Sequence, residues 1–514
     1  MIYKIGTALY YASSVPIYGI TMTSDERIIG RASEIAQLEK AFGSKRAEFI
    51  TVYGRRRIGK TYLIRRFFSQ KNCLYFQVTG IYKGSTKVQL KEFVNQSKTT
   101  FLPSYASIDI PKNWMDTFKI LTDILGQQDK KKRIVLFIDE LPWMAGKTKK
   151  LLQALEYYWN RHWVDMPNVK LIACGSASSW IIKNIIKNKG GLHNRTTLRL
   201  PMEPFNLHET KAFLKYENIN YDDYQTLQVY MCMGGIPYYL TMLEKRISAQ
   251  QNINKICFQK KGGLLDEFSL LFSSLFENEK LYETLVKLIA TKRYGISREE
   301  IENKLNYKGG SLTRRLTDLE QIGFIASFSP PGRIKKGLSY KIIDEYILFY
   351  LSWIAPSLKE SLPAEKTNQY WESISETQAW KSWAGYAFEA VCFKHLNQIR
   401  RALHIPDGAA AYTWKHISNT EKSALPGAQI DLVFDRNDQI INICEIKYAK
   451  NAYVIDKEEM DNLLNKTQVY RAVTKTNKLI FVSLITTFGI QESKKSSGLI
   501  SSAAILPDLF RENS

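Results

Sequence analysis

The chain of 514 residues is too long for a single hydrophobic core, so we expect several domains. Apolar residues make up 45% and charged residues 24% of the chain, which is typical of a globular protein and excludes an intrinsically disordered one. Lysine and arginine outnumber aspartate and glutamate by 72 to 50. The net charge of +22 favours a polyanionic partner, either nucleic acid or an acidic membrane face.

Cysteine use and hydropathy favour a cytoplasmic location. The six cysteines form no C-x-x-C pair and mostly lie in apolar runs, so we expect structural thiols rather than disulfides or a zinc site. No apolar run in the sequence reaches the roughly 18 residues of a membrane span, so no membrane partner is expected. Residues 1–21 are interpreted as a leader or a mis-called start, because Met22 directly precedes a polar segment.

A glycine-rich turn follows a predicted buried strand over 49–53 and precedes a predicted helix. The turn reads G-x-x-x-x-G-K-T, the pattern with which successive backbone N–H groups surround a phosphate. Lys60 adds a positive charge for the β- and γ-phosphates, and the Thr61 hydroxyl can bind Mg²⁺. The predicted ATP-binding residues here are Gly54, Arg55, Arg56, Arg57, Ile58, Gly59, Lys60, Thr61 and Tyr62.

A second apolar run ends in two adjacent acids, Asp139 and Glu140. This pattern predicts a buried parallel strand whose carboxyl end lies at the same sheet edge as the glycine-rich turn. We predict that Asp139 holds Mg²⁺ through water and that Glu140 orients or deprotonates the attacking water. The alternative is an ordinary strand end with solvated acids.

Two short motifs carry a resemblance to AAA+ and STAND-type NTPases. The first is G-R-x-x-E, with Gly30 and Arg31, at the start of a predicted helix upstream of the turn, and the second is G-x-P over 235–237. The resemblance implies that Gly30, Arg31 and Pro237 contact the nucleotide, the last from a helical lid. From the residues alone, Arg31 is a solvated charge and Pro237 begins a helix.

The same resemblance assigns roles to polar residues in the segment 169–179, which is predicted to be a third buried strand running into small polar residues. Ser176 or Ser178 lies where an AAA-type sensor would touch the γ-phosphate, although a serine turn after a strand is also common. Arg195 or Arg199 could act as an arginine finger in a homo-oligomer. A surface or nucleic-acid-facing arginine is the open alternative.

The segment over 281–350 reads as helix, turn, helix and wing. Its second helix begins with Arg314 and Arg315, and a basic stretch follows in the wing, so DNA contact is predicted. The alternative is a packing module. The basic wing residues are Arg333, Lys335 and Lys336.

A second chemical site is predicted near the C-terminus. Glu389 lies among apolar residues of a helix, and a predicted hairpin carries Asp431 on one strand and Glu445 and Lys447 on the other. Residues two apart on a strand share a face, so Glu445 and Lys447 point the same way. We predict that Glu389, Asp431 and Glu445 bind a divalent cation and that Lys447 orients the attacking water, with Asp431, Glu445 and Lys447 catalytic.

This order of residues resembles the PD-(D/E)XK fold of restriction endonucleases, and Gln468 and Tyr470 fall where that fold often adds polar site residues. One departure is that Ile430, not proline, precedes Asp431, which leaves the metal count open. The whole chain after residue 22 resembles the prokaryotic family of archaeal-type AAA ATPases with a winged helix and a nuclease-like domain. Expected boundaries are 1–21 for the leader, 22–205 for the ATPase core, 206–280 for the lid, 281–350 for the winged helix, 351–380 for a linker and 381–514 for the nuclease-like domain.

We therefore expect an α/β protein with a parallel P-loop NTPase sheet, a helical lid, a winged helix and a C-terminal α/β nuclease-like domain. Its expected function is ATP hydrolysis with Mg²⁺ and action on nucleic acid, preferentially DNA, in which nucleotide state gates the nuclease. The alternative is a signalling or scaffold ATPase that oligomerises on ATP and uses an inactive C-terminal domain for binding.

Overall fold

The computed structural model describes residues 27–103, 108–188, 190–192, 194–293, 295–328, 338–359, 369–418, 425–491 and 498–512. The expected leader and the basic wing residues Arg333, Lys335 and Lys336 lie outside the described residues. The chain divides into two compact units, with the first ending at Met202 and the second beginning at Glu203.

The first unit is built on a sheet of five parallel strands in the order β2-β3-β4-β1-β5. The inner strands are almost wholly buried, as their continuous runs of apolar residues predict. Because the strands are parallel, their carboxyl ends meet at one sheet edge. The strands are β1 (Glu48–Tyr53), β2 (Cys73–Thr79), β3 (Arg133–Asp139), β4 (Val169–Gly175) and β5 (Leu198–Pro201).

Helices pack large aromatic side chains against this sheet. Phe49, Phe118, Trp159 and Trp163 are fully buried in one core. The helices are α1 (Ala32–Gly43), α2 (Lys60–Ser69), α3 (Thr86–Phe101), α4 (Trp114–Gly126), α5 (Leu141–Ala145), α6 (Lys150–Arg161) and α7 (Ser178–Ile181), with a 3₁₀ turn over Trp163–Asp165 and a π-helical turn over Ile182–Ile186.

The second unit begins with five helices, three of which start at a residue whose side chain caps the helix. Asn206 and Glu209 exchange hydrogen bonds in a capping box, and Ser248 and Gln251 form another. These helices are α8 (Leu207–Tyr216), α9 (Asp223–Met233), α10 (Pro237–Leu240), α11 (Ala249–Cys257) and α12 (Glu267–Leu275).

Three helices and a small antiparallel sheet follow. Ser297 caps the second helix by accepting a hydrogen bond from the Glu300 N–H at 3.1 Å. The helices are α13 (Glu279–Ala290), α14 (Arg298–Leu305) and α15 (Gly310–Ile322), and the sheet, in the order β6-β8-β7, comprises β6 (Ile296–Ser297), β7 (Ile325–Phe328) and β8 (Ser339–Ile342).

Within the expected linker over 351–380, the described residues 351–359 and 369–380 contribute tryptophans to a packed core. Trp371 is 1% exposed and meets Trp380 edge to face with ring centroids 4.7 Å apart, and Trp353 packs on the same ring. The prolines suggested a connection, but burial of these tryptophans outweighs that local signal. The elements here are α16 (Glu345–Phe349), a π-helical turn over Tyr350–Ile354, α17 (Ala355–Lys359) and α18 (Tyr370–Ile374).

The C-terminal part holds a mixed sheet in the order β15-β13-β11-β10-β9, in which β10 runs antiparallel to both neighbours and the remaining strands are parallel. The predicted hairpin is its β10-β11 pair. The strands are β9 (Ala410–His416), β10 (Ala428–Asp435), β11 (Ile440–Lys447), β13 (Leu479–Thr486) and β15 (Ile500–Ile505), while β12 (Tyr453–Val454) pairs with β14 (Ile490–Gln491). The helices are α19 (Gln378–Lys394), α20 (Leu396–Ala402), α21 (Lys457–Thr474) and α22 (Leu506–Leu509).

Candidate functional site

The glycine-rich turn joins β1 to α2 at the carboxyl edge of the first sheet. Gly54 has φ 152°, and a Cβ there would lie 2.1 Å from the carbonyl oxygen of Met202, so only glycine fits. Gly59 adopts φ 89° and forms the N-cap of α2. Backbone N–H groups at a helix N-terminus attract anions, so the turn can receive a phosphate.

Lys60 lies inside this turn. Its ammonium donates hydrogen bonds to the carbonyl oxygens of Gly54 at 2.9 Å and Arg55 at 2.8 Å, and the residue is only 5% exposed. The positive charge is thus held within the loop by neutral acceptors. Phosphate oxygens could replace these acceptors with a stronger, charge-assisted bond.

Arg31 hydrogen-bonds to the backbone of this turn. Its guanidinium donates to the carbonyl oxygen of Ile58 at 3.1 Å and pairs with Glu34 at 3.2 Å, while the residue is 5% exposed. The reading of Arg31 as a solvated charge is therefore wrong. Gly30 and Arg31 both adopt positive φ, 66° and 61°, immediately before α1.

Asp139 ends β3 directly beside α2. Its carboxylate accepts a hydrogen bond from the Thr61 hydroxyl at 2.8 Å. Burial raises the pKa of Asp139 to about 6, and the neighbouring Glu140 charge adds to this rise, whereas Thr61 opposes it. A hydroxyl and a buried carboxylate side by side are the oxygen ligands that Mg²⁺ prefers, so these two residues fit the cation.

Glu140 follows in a left-handed conformation with φ 44°, which is unusual for a residue with a side chain. Its carboxylate accepts hydrogen bonds from Ser176, at 3.2 Å from the backbone N–H and at 2.5 Å from the hydroxyl. Glu140 follows β3 and Ser176 follows β4, so these hydrogen bonds link the carboxyl ends of two neighbouring strands. Ser178, the other serine that the sequence suggested, is fully buried at the start of α7.

Three of the other residues that the sequence suggested are exposed. These are Tyr62, Arg195 and Arg199, and Arg199 donates from Nε to the Thr196 hydroxyl at 3.2 Å. Pro237 occupies the first turn of α10 in the second unit.

The glycine of the G-x-P motif has a packing role that the sequence did not reveal. A Cβ at Gly235 would lie 1.8 Å from the carbonyl oxygen of Phe205, and the Gly235 carbonyl accepts from the Phe205 N–H at 2.7 Å. Only glycine allows the two backbones to approach so closely.

A cleft of about 380 Å³ in the second unit brings together Glu389, Asp431, Glu445 and Lys447. Because Leu432 faces Cys444 in the antiparallel β10-β11 pair, Asp431 and Glu445 lie on one face of the sheet. Asp431 accepts a hydrogen bond from the Ile446 N–H at 3.0 Å. The four residues that the sequence grouped therefore line one cavity.

Two of these carboxylates already form ion pairs with cationic side chains. Arg293 donates to Glu389 at 2.8 Å, and Lys466 donates to Glu445 at 2.6 Å. Lys447 lies 3.2 Å from the other oxygen of Glu445 and 3.0 Å from Glu459. Arg293 and Lys466 were not predicted, because each comes from a segment distant in sequence.

The charges in the cleft affect one another strongly. Burial raises the pKa of Asp431 to about 7, and the carboxylates of Glu445 and Glu389 add to the rise. Burial works against the charge of Lys447, but the Glu445 and Glu459 carboxylates outweigh it and raise the pKa of Lys447. Within the ranges that the structure describes, no group of three or more His, Cys, Asp or Glu side chains is arranged to hold a metal ion.

The helix α21 contributes different residues from those expected. Tyr470 is buried against Trp414 and shares a hydrogen bond of 2.8 Å with the Tyr412 hydroxyl, and Gln468 is exposed. Asn462 and Lys466, one helical turn apart, line the cleft instead. The expectation for Gln468 and Tyr470 is therefore wrong.

The two arginines at the start of α15 differ in environment. The side chain of Arg314 is 72% exposed and lies 3.9 Å from Asp318. Arg315 packs over the rings of Tyr282 and Tyr307 and donates to Ser311 at 2.6 Å. Arg314 is thus the better placed of the two to meet a partner.

All six cysteines, each within the described residues, are free thiols. No helix in the described part of the chain combines the length and the apolar character needed to cross a membrane.

The parallel sheet, the phosphate-binding turn and the adjacent acids define the class of the first unit as a P-loop ATPase. Residues 28–243 match the model of a family described as an ATPase domain predominantly from Archaea. The chain therefore contains an ATPase domain of this archaeal type.

Two curated relatives come from Methanocaldococcus jannaschii. The uncharacterized protein MJECL04 is 25% identical over 461 residues, which cover 88% of this chain and 92% of that protein. The uncharacterized ATP-binding protein MJ0423 is 40% identical over 55 residues, which cover 11% of this chain and 85% of that protein. Among solved structures, the chain is similar to the Walker-type ATPase PABY2304 of Pyrococcus abyssi, at 18% identity and a TM-score of 0.44, with 63% of this chain and 96% of that chain covered.

Proposed function

We propose that the glycine-rich turn binds the phosphates of ATP and that Thr61 and Asp139 together hold Mg²⁺. The observation that carries this assignment is the 2.8 Å hydrogen bond between the Thr61 hydroxyl and the buried Asp139 carboxylate, directly beside the turn. When bound, Mg²⁺ would neutralise charge on the transferred phosphoryl group. Lys60 would exchange its two backbone acceptors for phosphate oxygens.

Glu140 orients the attacking water and accepts its proton, while Ser176 fixes the carboxylate through two hydrogen bonds. Gly30 and Arg31 flank the base. Pro237 contacts the nucleotide from the lid. Arg195 or Arg199, both exposed, reaches the nucleotide of a neighbouring copy in a homo-oligomer.

Substitution of the proposed base tests this assignment. Glu140→Gln should bind ATP normally and lose roughly 10²- to 10⁴-fold in turnover, since the amide cannot accept the proton. Glu39→Gln, at the surface ion pair with Lys71, is the control and should leave turnover unchanged. Normal turnover in Glu140→Gln would remove the role assigned to Glu140.

The protein acts on nucleic acid in the cytoplasm, with the nucleotide state gating the C-terminal cleft. The helical lid spans 206–280, the winged helix 281–350 and the nuclease-like domain 381–514. Support comes from the net charge of +22, from the helices α13 to α15 with their small sheet, and from the exposed Arg314. DNA is the favoured substrate.

In the cleft, Glu389, Asp431 and Glu445 hold a divalent cation, and Lys447 orients the water that attacks a phosphodiester. Their convergence on one cavity supports this role. Glu389 and Glu445 must first exchange Arg293 and Lys466 for the cation. Cleavage therefore requires the cleft to rearrange.

A scaffold ATPase with an inactive C-terminal domain is the second candidate. It is favoured by the ion pairs that already compensate Glu389 and Glu445. In that case the cleft stabilises the fold and binds a partner without cutting it.

Incubation of plasmid DNA with the protein and Mg²⁺ or Mn²⁺, with and without ATP, separates these candidates. Cleavage that disappears in Lys447→Ala supports the nuclease. Lys450→Ala is the matched control, because Lys450 is three residues away and pairs with Glu376 at the surface. Intact plasmid under every condition, together with normal ATP turnover, supports the scaffold.

A further inference from the structure

A pair of aromatic side chains lies beside the ATPase strand ends without a role in the proposed chemistry. Tyr82 follows β2 and is 49% exposed, and Trp143 lies in α5, three residues after Glu140. Their ring centroids are 5.2 Å apart at an angle of 61°. The ammonium of Lys83 lies 5.1 Å from the centre of the Tyr82 ring. We call Tyr82, Lys83 and Trp143 the aromatic ledge.

The surroundings of the ledge are strongly basic. The two segments 80–88 and 146–150, which carry or adjoin the ledge residues, contain five lysines and no acid in the sequence. All five are exposed. An exposed aromatic ring, here that of Tyr82, flanked by lysines suits a ligand with flat bases and a phosphate backbone. The five lysines are Lys83, Lys87, Lys147, Lys149 and Lys150.

The ledge is also built rigidly. Gln89, 2% exposed, accepts from the Ile81 N–H at 3.0 Å, donates to the Ile81 carbonyl at 2.8 Å and reaches the Trp143 carbonyl at 3.4 Å. Lys83 is held at φ 55°, a conformation that costs on the order of a hydrogen bond and persists only when neighbouring contacts enforce it. One buried amide therefore fastens both turns of the ledge.

These turns are continuous with the proposed catalytic acid. The Gly80 N–H donates to the Asp139 carbonyl at 2.9 Å, and the Trp143 N–H donates to the Glu140 carbonyl at 2.9 Å. A Cβ at Gly80 would lie 2.4 Å from that same Glu140 oxygen, so the two turns pack without space between them. A ligand on the ledge therefore rests on the backbone that sets the position of Glu140.

We propose that the aromatic ledge is a binding site for single-stranded nucleic acid, with a base stacked on Tyr82, which Trp143 supports edge to face, and phosphates on the flanking lysines. A duplex does not satisfy this site, because its bases are stacked on one another and their faces are not available. The inference rests on the proposed nucleic-acid function and adds to it the strandedness of the ligand and its location on the ATPase domain.

Fluorescence anisotropy with a labelled oligothymidylate of about 20 nucleotides tests the site on the full chain. Tyr82→Ala should weaken binding roughly tenfold, the loss of one stacked base, whereas Tyr82→Phe keeps the ring and should bind within about twofold of the unchanged protein. Unlabelled single strand should compete better than a duplex of the same length.

Tyr157→Ala is the matched control. Tyr157 is 40% exposed in the same unit and has the Arg161 guanidinium 5.2 Å from its ring, but it lies on α6 seven residues after Lys150 and outside the segments 80–88 and 146–150. It should bind within about twofold of the unchanged protein. Equal affinity of the Tyr82→Ala and Tyr157→Ala proteins for the oligonucleotide would contradict the proposed binding site on the aromatic ledge. Equal competition by duplex would contradict it too. Neither result would contradict the proposed nucleic-acid function. A full chain that does not bind DNA or RNA even at low salt overturns the nucleic-acid function as well.

Discussion

The nucleotide site and the acidic cleft both enclose carboxylates, at strand ends in the first and on two strands and a helix in the second, but they compensate these charges differently. Asp139 and Glu140 accept hydrogen bonds from neutral hydroxyl and backbone groups, namely Thr61 and Ser176. In the cleft, Glu389 and Glu445 form ion pairs with the side chains of Arg293 and Lys466. Neutral donors leave net negative charge for a metal ion, whereas an ion pair must be broken before a metal can enter. The carboxylates of the first site thus keep a net negative charge, whereas those of the second are compensated by neighbouring side chains.

The largest effect is expected at the first site. Lys60→Ala should weaken nucleotide binding roughly 100-fold or more, because the phosphates lose a buried positive charge. Isothermal titration calorimetry with a non-hydrolysed ATP analogue measures this. Lys71→Ala, which removes a lysine paired with Glu39 on the surface, should bind normally. Equal affinity of the two variants would show that the loop is not the phosphate site.

The second prediction tests whether the charge of Asp431 in the cleft lowers the stability of the folded protein. Burial holds the folded pKa of Asp431 near 7, above its unfolded value near 4, so the folded state binds the proton more tightly. Stability from this group is present below pH 4 and is lost as the pH rises towards 7. Asp431→Asn should therefore stabilise the protein at pH 8 by about 2 kcal/mol, while cleavage is lost.

Chemical denaturation at pH 8 and pH 4 measures this difference. The gain from Asp431→Asn should be absent at pH 4, where the carboxyl is already neutral. Asp438→Asn, at the exposed hairpin turn, is the control and should show no such gain. A destabilised Asp431→Asn at pH 8 would mean that the carboxylate is a favourable part of the resting fold.

The third prediction tests whether Arg293 closes the cleft. Arg293→Ala should raise the affinity for Mn²⁺ roughly tenfold, because it leaves Glu389 buried with its charge uncompensated. Electron paramagnetic resonance of Mn²⁺ reports binding without reference to activity. Arg298→Ala, which breaks a half-buried pair with Glu302 on α14, should leave the affinity unchanged. Unchanged or weaker Mn²⁺ binding in Arg293→Ala would show that Arg293 does not keep a metal ion out of the cleft.

The strand, glycine-rich turn and helix of the first unit could be predicted from the sequence because the pattern is local. Strand, glycine-rich turn and helix are adjacent, so the spacing of Gly54, Gly59, Lys60 and Thr61 already determines their geometry. The strand ending in Asp139 and Glu140 is recognisable by its apolar run, and parallel topology brings its end to the same edge.

The sequence could not predict contacts between distant segments. Arg293 and Lys466 reach the cleft from a turn after α13 and from α21, and no local pattern distinguishes them from surface cations. The choice of Lys466 over Gln468 and Tyr470 depends on the rotation of α21 about its axis. The tryptophans over 351–380 were missed for a related reason, since their partners include Phe258 and Phe349 far from Trp371 in the chain.

The smallest effect concerns the hydroxyl that fixes Glu140. Ser176→Ala removes one hydrogen bond of 2.5 Å but keeps the backbone N–H contact, so ATP turnover should fall roughly fivefold, the worth of one neutral hydrogen bond. Steady-state turnover at saturating ATP measures this. Ser178→Ala is the matched control, because Ser178 lies two residues on in the buried start of α7 and should leave turnover unchanged. A loss of turnover in Ser178→Ala with none in Ser176→Ala would mean that Ser178, not Ser176, supports the Glu140 carboxylate. It would also contradict the claim that the neutral donors of Ser176 hold Glu140 in place.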